Sequence, residues 1–441
     1  MGWERGRAGS VLALLAGSFF LIASCGGGDN RPVSVAIDPT AATLTPSGSQ
    51  LFKATVSGAS DPSVTWSIQE GAAGGTISQD GTYLPPATPG VFHVVAASAA
   101  DPSRTASATV TVVAPASAAR FAYAANSESN SVSIFTVDAA TGALTPIGEI
   151  AAGQEPYAVT ADPGGRFVYV GNFGSNDISM YRIATDTGLL TPIGTAATGT
   201  GPYSLVVEPS GHFAYAANEN SETDIWVYQI DQATGALTNI QTADAGTSPI
   251  AITVDPAGRF AYVANTSSDN VSAFKIDIPT GHLIKVGDVP AGDGANSAAV
   301  HPSGKYAYVA NYNSGDVWSY RIDPDSGALT RIGRVKAGTH SFSIAAEPLG
   351  RFVYAANSDS NDISMYRVGT DGNLISLGAV AAGSGPRSIT VDPSSQFVYV
   401  ANLDSNDVSA YRIQEGTGLL LPVGTAPAGK QTRSVKTAGA Q

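Results

Sequence analysis

Charge is scarce in this chain, and positive charge is the scarcer sign. Only 13% of the 441 residues are Asp, Glu, Lys or Arg, about half the roughly 25% usual in globular proteins. Helix surfaces draw on Lys and Glu, so the shortage argues for strands and turns. With 23 basic against 36 acidic residues and a net charge of −13, the chain lacks the basic footprint that binds nucleic acid. Cysteine is nearly absent as well. Cys25 stands alone, which excludes a disulfide framework, a CxxC zinc site and a cysteine nucleophile in the folded body. Long hydrophobic runs are missing too: the apolar stretch Val11 to Ile22 is too short to span a bilayer. What is present is 43% hydrophobic residues, enough for real cores, and 49 glycines with 26 prolines, the raw material of tight turns. An all-β protein is expected.

The amino terminus reads as an address. Arg5 and Arg7 precede the apolar run, which ends in Ile22-Ala23-Ser24-Cys25. This is signal-peptide architecture, and the ending resembles a bacterial lipobox, whose thiol takes up diacylglycerol. Residues 1–24 are therefore expected to be cleaved. Cys25 is expected to be lipidated, with 25–32 as a glycine-rich tether. Two or three acyl chains anchor stably where one does not. The resemblance implies an exported, lipid-anchored protein of the bacterial envelope, and Gly26 after the cysteine favours the outer membrane.

Residues 33–114 alternate as short strands, among them Val33–Ile37, Leu51–Val56, Ser63–Ile68, Phe92–Ala96 and Ala108–Val112, separated by turn formers at sandwich-like intervals. Gly74-Gly75-Thr76-Ile77, then Asp80-Gly81-Thr82-Tyr83, together with Trp66, resemble bacterial immunoglobulin-like domains. A spacer role is expected there. His93 alternates with Phe92 and Val94 and points outward, and 115–120 read as a linker.

From Phe121 onward the chain repeats. Seven asparagines (Asn126, Asn172, Asn218, Asn265, Asn311, Asn357 and Asn402) end aromatic-x-aromatic strands at intervals of 45 to 47 residues. Each unit adds a second strand such as Asp177–Ile183, a Thr-Gly or Ser-Gly turn, a third strand, and a fourth ending in an acid-Pro-x-Gly turn such as Asp255-Pro256-Ala257-Gly258. Asp followed by Pro suits a type I turn. Four strands per unit of about 46 residues is the mark of a propeller blade. Six fourth-type strands precede acid- or His-Pro turns, whereas the first blade has none before Phe121. The segment Arg433–Thr437 is predicted to supply it, pairing with Phe121–Ala125 and closing the ring. Residues 121–441 thus form a seven-bladed β-propeller behind an immunoglobulin-like β-sandwich.

Loop alternation in a meander places the Asn loops and the approaches to the innermost strands on one face. That face carries Glu155, Tyr157, Tyr203, Asp293, Asn296, His340, Arg387, Lys430 and Arg433 around the channel mouth. The Asn loops add eleven carboxylates and no base, a rim able to attract cations, although Asp and Asn also serve simply as turn formers. GxSxG, HExxH and Gly-rich phosphate loops are absent from the sequence.

The repeat Gly-Pro-x-Ser followed by acid/His-Pro-x-Gly-aromatic-x-Tyr-Val-x-Asn resembles the seven-bladed lactonase family, which includes bacterial 6-phosphogluconolactonases, and the Tyr-Val-Thr-Asn repeats of cell-surface propellers. The resemblance covers 121–441. It implies lactone hydrolysis with Asn218-Glu219 at the site and Glu219 as general base or acid. Pro386-Arg387 matches the start of the family's Pro-Arg-His, but Ser388 replaces the histidine, and His340 one blade earlier is the other candidate. Arg387 and Arg433 would hold an anionic group, with Tyr203, Glu155 and Asn218 also at the substrate. No cofactor is implied. A monomer acting on a small lactone is expected, and a non-catalytic envelope-binding propeller is the alternative. A calcium-dependent hydrolase using the rim carboxylates is a third reading.

Overall fold

This computed structural model describes residues 32–44, 49–86, 88–112, 119–221 and 224–439. The signal segment, Cys25 and Glu222 lie outside the described residues. The chain divides into two compact units, with the division after Pro115.

The first unit is built from three small sheets. One holds, in spatial order, Ala41–Leu44, Thr105–Val112, Gly90–Ser98 and Val64–Ile68. Ser34–Asp38 pairs with Lys53–Ser57, and Thr82–Leu84 lies between Gln50–Leu51 and Thr76–Ile77. Phe52, Tyr83, Val94 and Val110 are fully buried in its core, with Trp66 packed against them. The Asp-Gly-Thr-Tyr stretch has a local cause: Gly81 sits at φ +89, and a Cβ there would lie 2.2 Å from the Phe52 carbonyl oxygen. The strand Ala41–Leu44, parallel to Thr105–Val112, was not legible in the sequence. It is short and lacks a clean alternation. His93 is half-buried, with Nδ1 2.7 Å from Glu70 Oε1.

The second unit is a ring of seven four-stranded antiparallel sheets. Blade 1 holds Ala119–Asn126, Ser131–Val137 and Leu144–Ala151, and its innermost strand is the last of the chain, Thr432–Gly439. The predicted closure is present in register: Ala122 opposes Thr437, Ala124 opposes Val435 and Ala125 opposes Ser434. Blades 2 to 7 each start at the axis, with innermost strands Pro156–Ala161, Pro202–Val207, Pro249–Val254, Ala295–Val300, Ser341–Ala346 and Pro386–Val391. Closure leaves no blade with a missing partner.

The repeating residues are the joints between blades. The second strand, as in Phe167–Asn172, is buried on both faces, which is why it reads as a continuous apolar run. Its tyrosine reaches the Thr-Gly turn of the next blade: Tyr169 Oη donates to the Gly235 carbonyl at 2.9 Å, and Tyr399 Oη to that of Gly142 at 3.0 Å, joining blade 7 to blade 1. The turn glycine meets the aromatic ring two residues before that tyrosine. At Gly188, with φ +74, a Cβ would lie 2.2 Å from the Phe121 ring. Tyr308 breaks the pattern; its buried hydroxyl has no hydrogen-bond partner. The turn it would reach, around Gly372, carries Asp-Gly-Asn instead of the usual Thr-Gly.

The asparagine that ends the strand is fully buried. Asn172 Nδ2 donates to Asp177 Oδ1 at 2.6 Å and to Ser179 Oγ at 2.9 Å, while its Oδ1 accepts from the Gly153 amide. Asn311, Asn357 and Asn402 bond Asp316, Asp362 and Asp407 in the same way. Four of the eleven rim carboxylates are therefore internal ties.

Candidate functional site

The channel mouth is made by one irregularity repeated seven times. In each blade the second residue of the innermost strand is skipped by the ladder to the next strand, as between Pro156 and Ala158 or Pro386 and Ser388. Such bulges re-aim a side chain and are common beside active sites. The seven residues concerned are Tyr157, Tyr203, Ile250, Asn296, Phe342, Arg387 and Arg433, and all line a cavity of about 140 Å³ at the axis. The residue before each strand has a left-handed backbone. It is Gly201, Gly294 and Gly385 in three blades but Glu155, Ser248, His340 and Gln431 in the others. Non-glycine residues at positive φ are uncommon, and here the conformation is fixed by hydrogen bonds. The Glu155 amide donates to Asn130 Oδ1 of the previous blade at 2.8 Å, and its carbonyl accepts from the Phe173 amide at 2.8 Å.

The cavity floor is a ring of small residues one position further on. Ser434 Oγ accepts from the Val159 amide at 3.3 Å, and Ser204, Ser297, Ser343 and Ser388 accept from the same position of the following blade at 3.2–3.3 Å. These amides face the axis and would otherwise lack a protein partner. Ala158 and Ala251 interrupt the ring.

Charge is arranged asymmetrically around the cavity. Arg433 lies 3.8 Å above the Tyr157 ring, which stacks on Phe173 at 4.4 Å, and its Nε donates to Ser127 Oγ at 2.9 Å. Arg387 lies 4.4 Å above Phe342, and its buried Nε has no partner. Neither guanidinium has a carboxylate within ion-pair distance among the described residues. Burial, with Arg387 adding to it, pulls the Arg433 pKa down. Burial pushes the Tyr203 hydroxyl up to about 12, with both arginines lowering it and Glu219 raising it. Glu219 follows Asn218 and is partly buried; desolvation raises its carboxyl above the ordinary value. A raised carboxyl is better matched to proton transfer near neutrality than an exposed one.

The other expected residues divide clearly. Asn218 is fully buried, its Oδ1 accepting from Thr198 Oγ1 at 2.9 Å and its Nδ2 donating to the Asp224 carbonyl. It is a blade joint like its six counterparts, its side chain turned to protein partners and absent from the cavity lining, unlike its expected place at the substrate. His340 belongs to the rim: its ring stacks on Tyr312 at 4.1 Å, and Nδ1 lies 2.6 Å from Asp359 Oδ2. It is absent from the cavity lining. Glu155 lines a shallow depression beside Arg433. Asp293 accepts from Asn313 Nδ2 at 2.8 Å, and Lys430 pairs with Glu128 at 3.3 Å on the exposed surface. Among the described residues no group of three or more His, Cys, Asp or Glu is placed to hold a metal ion. Phe342 and the serine ring were not among the residues expected at the site. The repeated Ser after the bulge position was the available signal.

Comparison with known proteins agrees with this architecture. The family described as lactonase, 7-bladed β-propeller, matches over residues 86–207, 195–292 and 284–437. No curated protein matches the sequence. Among solved structures, a protein from Lactobacillus plantarum is similar at 24% identity and a TM-score of 0.65, over 72% of this chain and 99% of that one. A candidate 6-phosphogluconolactonase from Bacteroides fragilis is similar at 23% and 0.65, over 73% and 98%. The periplasmic gluconolactonase PpgL of Pseudomonas aeruginosa is similar at 18% and 0.65, over 74% and 100%. At such identities the structural likenesses carry the fold alone. The match to the family extends over most of the chain, and the chain belongs to the seven-bladed β-propeller lactonase family.

Proposed function

We propose that the propeller hydrolyses a lactone ester at the channel mouth. The observation that carries this reading is that Tyr203, on the cavity wall, feels both Glu219, whose carboxyl is raised by burial, and two guanidiniums that have no counter-ion among the described residues. Glu219 takes a proton from water, and the hydroxide attacks the lactone carbonyl. As the ring C–O bond breaks, Glu219 returns the proton to the departing ring oxygen. Arg387 and Arg433 hold the anionic group of the ligand, their planes kept in place by the aromatic rings beneath them, and Tyr203 and Asn296 complete the wall. His340, oriented by Asp359, acts from the opposite side of the mouth on a ligand long enough to reach it.

A non-catalytic binding module is the second reading. It is favoured by Ser388, which stands where the family has histidine and whose hydroxyl accepts from the Val435 amide. One experiment separates the two: a panel of sugar and aliphatic lactones titrated at constant pH. Turnover that disappears in Glu219→Gln supports hydrolysis; no turnover on any lactone refutes it.

The same proposal places the protein in the envelope, lipidated at Cys25 and carrying an immunoglobulin-like spacer over 33–114. Membrane fractionation of the wild type and Cys25→Ala tests the anchor, which is refuted if both are equally soluble.

A further inference from the structure

A serine hydroxyl that accepts from an amide still has its own proton to give. On the floor of the axial cavity the oxygens of Ser204, Ser297, Ser343, Ser388 and Ser434 each accept from an amide of the following blade. None of these five hydroxyls donates to a protein group among the described residues. All five residues line the cavity and are only partly buried, so each proton has the cavity to turn to. An oxygen already engaged by an amide is polarised, which strengthens its own donation. The five belong to blades 1, 3, 5, 6 and 7, so the donors surround the axis instead of clustering on one side.

The wall above them has the same polarity. Its charged groups are Arg387 and Arg433, each directly before a floor serine, and none of the lining side chains is a carboxylate. Asn296 is the exception: its Nδ2 is spent on the Phe342 carbonyl at 2.6 Å, which leaves its oxygen as an acceptor. A cation entering this cavity would face five hydroxyl protons and two guanidiniums. An oxyanion would meet donors already in place around it.

We propose that the cavity is a seat for a tetrahedral oxyanion, with the floor serines donating to oxygens that radiate about the axis and the two guanidiniums closing over one side. Its volume of about 140 Å³ has room for several waters, and so for an ion the size of sulfate. A planar carboxylate reaches donors along one edge only. A tetrahedral group with one bond directed up the axis spreads its other oxygens over the ring. The occupant is a free ion of this shape or the like-shaped head of a larger ligand that enters head first. The second case deepens the proposed function: it rests on the reading of the arginines as holders of an anionic group and sets which end of the ligand lies at the floor. Neither case depends on turnover.

Calorimetric titration of the purified protein with sodium sulfate, methanesulfonate and acetate at constant ionic strength tests it. Sulfate should bind at one site and about tenfold or more tighter than acetate, because one hydrogen bond to a charged group is worth at least about tenfold. Methanesulfonate carries the charge of acetate. It should bind tighter than acetate if the seat takes the head of a larger ligand, and no tighter if the seat takes the free ion. Ser343→Ala and Ser388→Ala each remove one donor and should weaken sulfate about tenfold. They also take the acceptor from the Ile389 and Val435 amides, so Ala251→Ser, which adds a hydroxyl to the ring and removes none, is the complementary variant and should tighten sulfate. The proposal is overturned if the wild type binds no sulfate or binds it no tighter than acetate. It is overturned as well if folded Ser343→Ala and Ser388→Ala keep wild-type affinity; should neither fold, an unchanged affinity in Ala251→Ser decides against it. Lactone turnover, measured on the same samples, reports separately on the hydrolytic reading.

Discussion

If the last strand is a full member of the ring, truncating its core residue should cost as much as truncating the same position elsewhere. Val435 is the equivalent of Val159; they are 2% and 5% exposed. Val435 packs between blades 7 and 1 with Ala124, Tyr399 and Ala401, and Val159 between blades 1 and 2 with Tyr123, Val168 and Val170. Valine to alanine removes two methyl groups, about 0.8 kcal/mol each in transfer, and the cavity left in a rigid joint raises the cost to about 2–3 kcal/mol. An unfolding entropy of about 2.1 cal/mol/K per residue over roughly 320 residues converts this into a Tm drop of about 3–4 °C. Scanning calorimetry of Val435→Ala and Val159→Ala should therefore show equal shifts of the propeller transition. Hydrogen exchange should show protection falling throughout the ring in both. If Val435→Ala shifts the transition by less than about 1 °C, or loses protection only over 432–439, the strand is a frayed appendage and the closure argument fails.

Further outcomes follow from other joints. Glu219 has a folded-state pKa above its unfolded value, so the fold favours its protonated form and stability declines as pH rises through that interval. Glu219→Gln should therefore be at least as stable as wild type at neutral pH while losing activity, and the acid limb of kcat/KM should lie above the ordinary carboxylate range. A destabilised Glu219→Gln contradicts this sign. Ala158→Ser and Ala251→Ser should complete the serine ring, each stabilising by about 0.5–1 kcal/mol through one new bond to a strand amide, measured by urea denaturation; destabilisation would show that the ring has no room for them. Asn172→Ala takes one donor from the Asp177 carboxylate, which keeps Ser175, and the side-chain acceptor from the Gly153 amide, and should cost about 2–3 kcal/mol. Lys430→Ala, breaking an exposed pair, should change stability by less than about 0.5 kcal/mol.

The ring was legible because its joints are sequence-local signals repeated seven times. The Asn that ends the second strand, the Phe-x-Tyr pair and the Thr-Gly turn each recur because each makes the same contact in every blade. The C-terminal partner of Phe121–Ala125 followed from counting strands, since a missing inner strand has only one place to come from. The site was less legible. Arg387 and Arg433 stood out as bases among apolar strands, and the cavity includes both. Asn218 looked like a site residue beside Glu219, yet it is a joint, and a repeat conceals the difference because structural and functional asparagines share one motif. His340 was placed at the mouth by its sequence position, but its left-handed backbone and its contact with Asp359 direct it to the rim. The cavity floor left only a faint signal, the Ser that recurs after the bulge position, because the repeat alone does not show that its hydroxyl accepts from the neighbouring blade.

The closing strand sets an order in time. Arg433 lies on Thr432–Gly439, the strand that follows every other strand of the ring in sequence, after six blades are already complete. Until that strand is in place the first blade is open, and the cavity lacks Arg433 from its wall. The cavity wall is thus completed only at the step that shuts the ring. A ligand held by Arg433 would act on that last step alone, by slowing the reopening of the ring rather than hastening the formation of any blade.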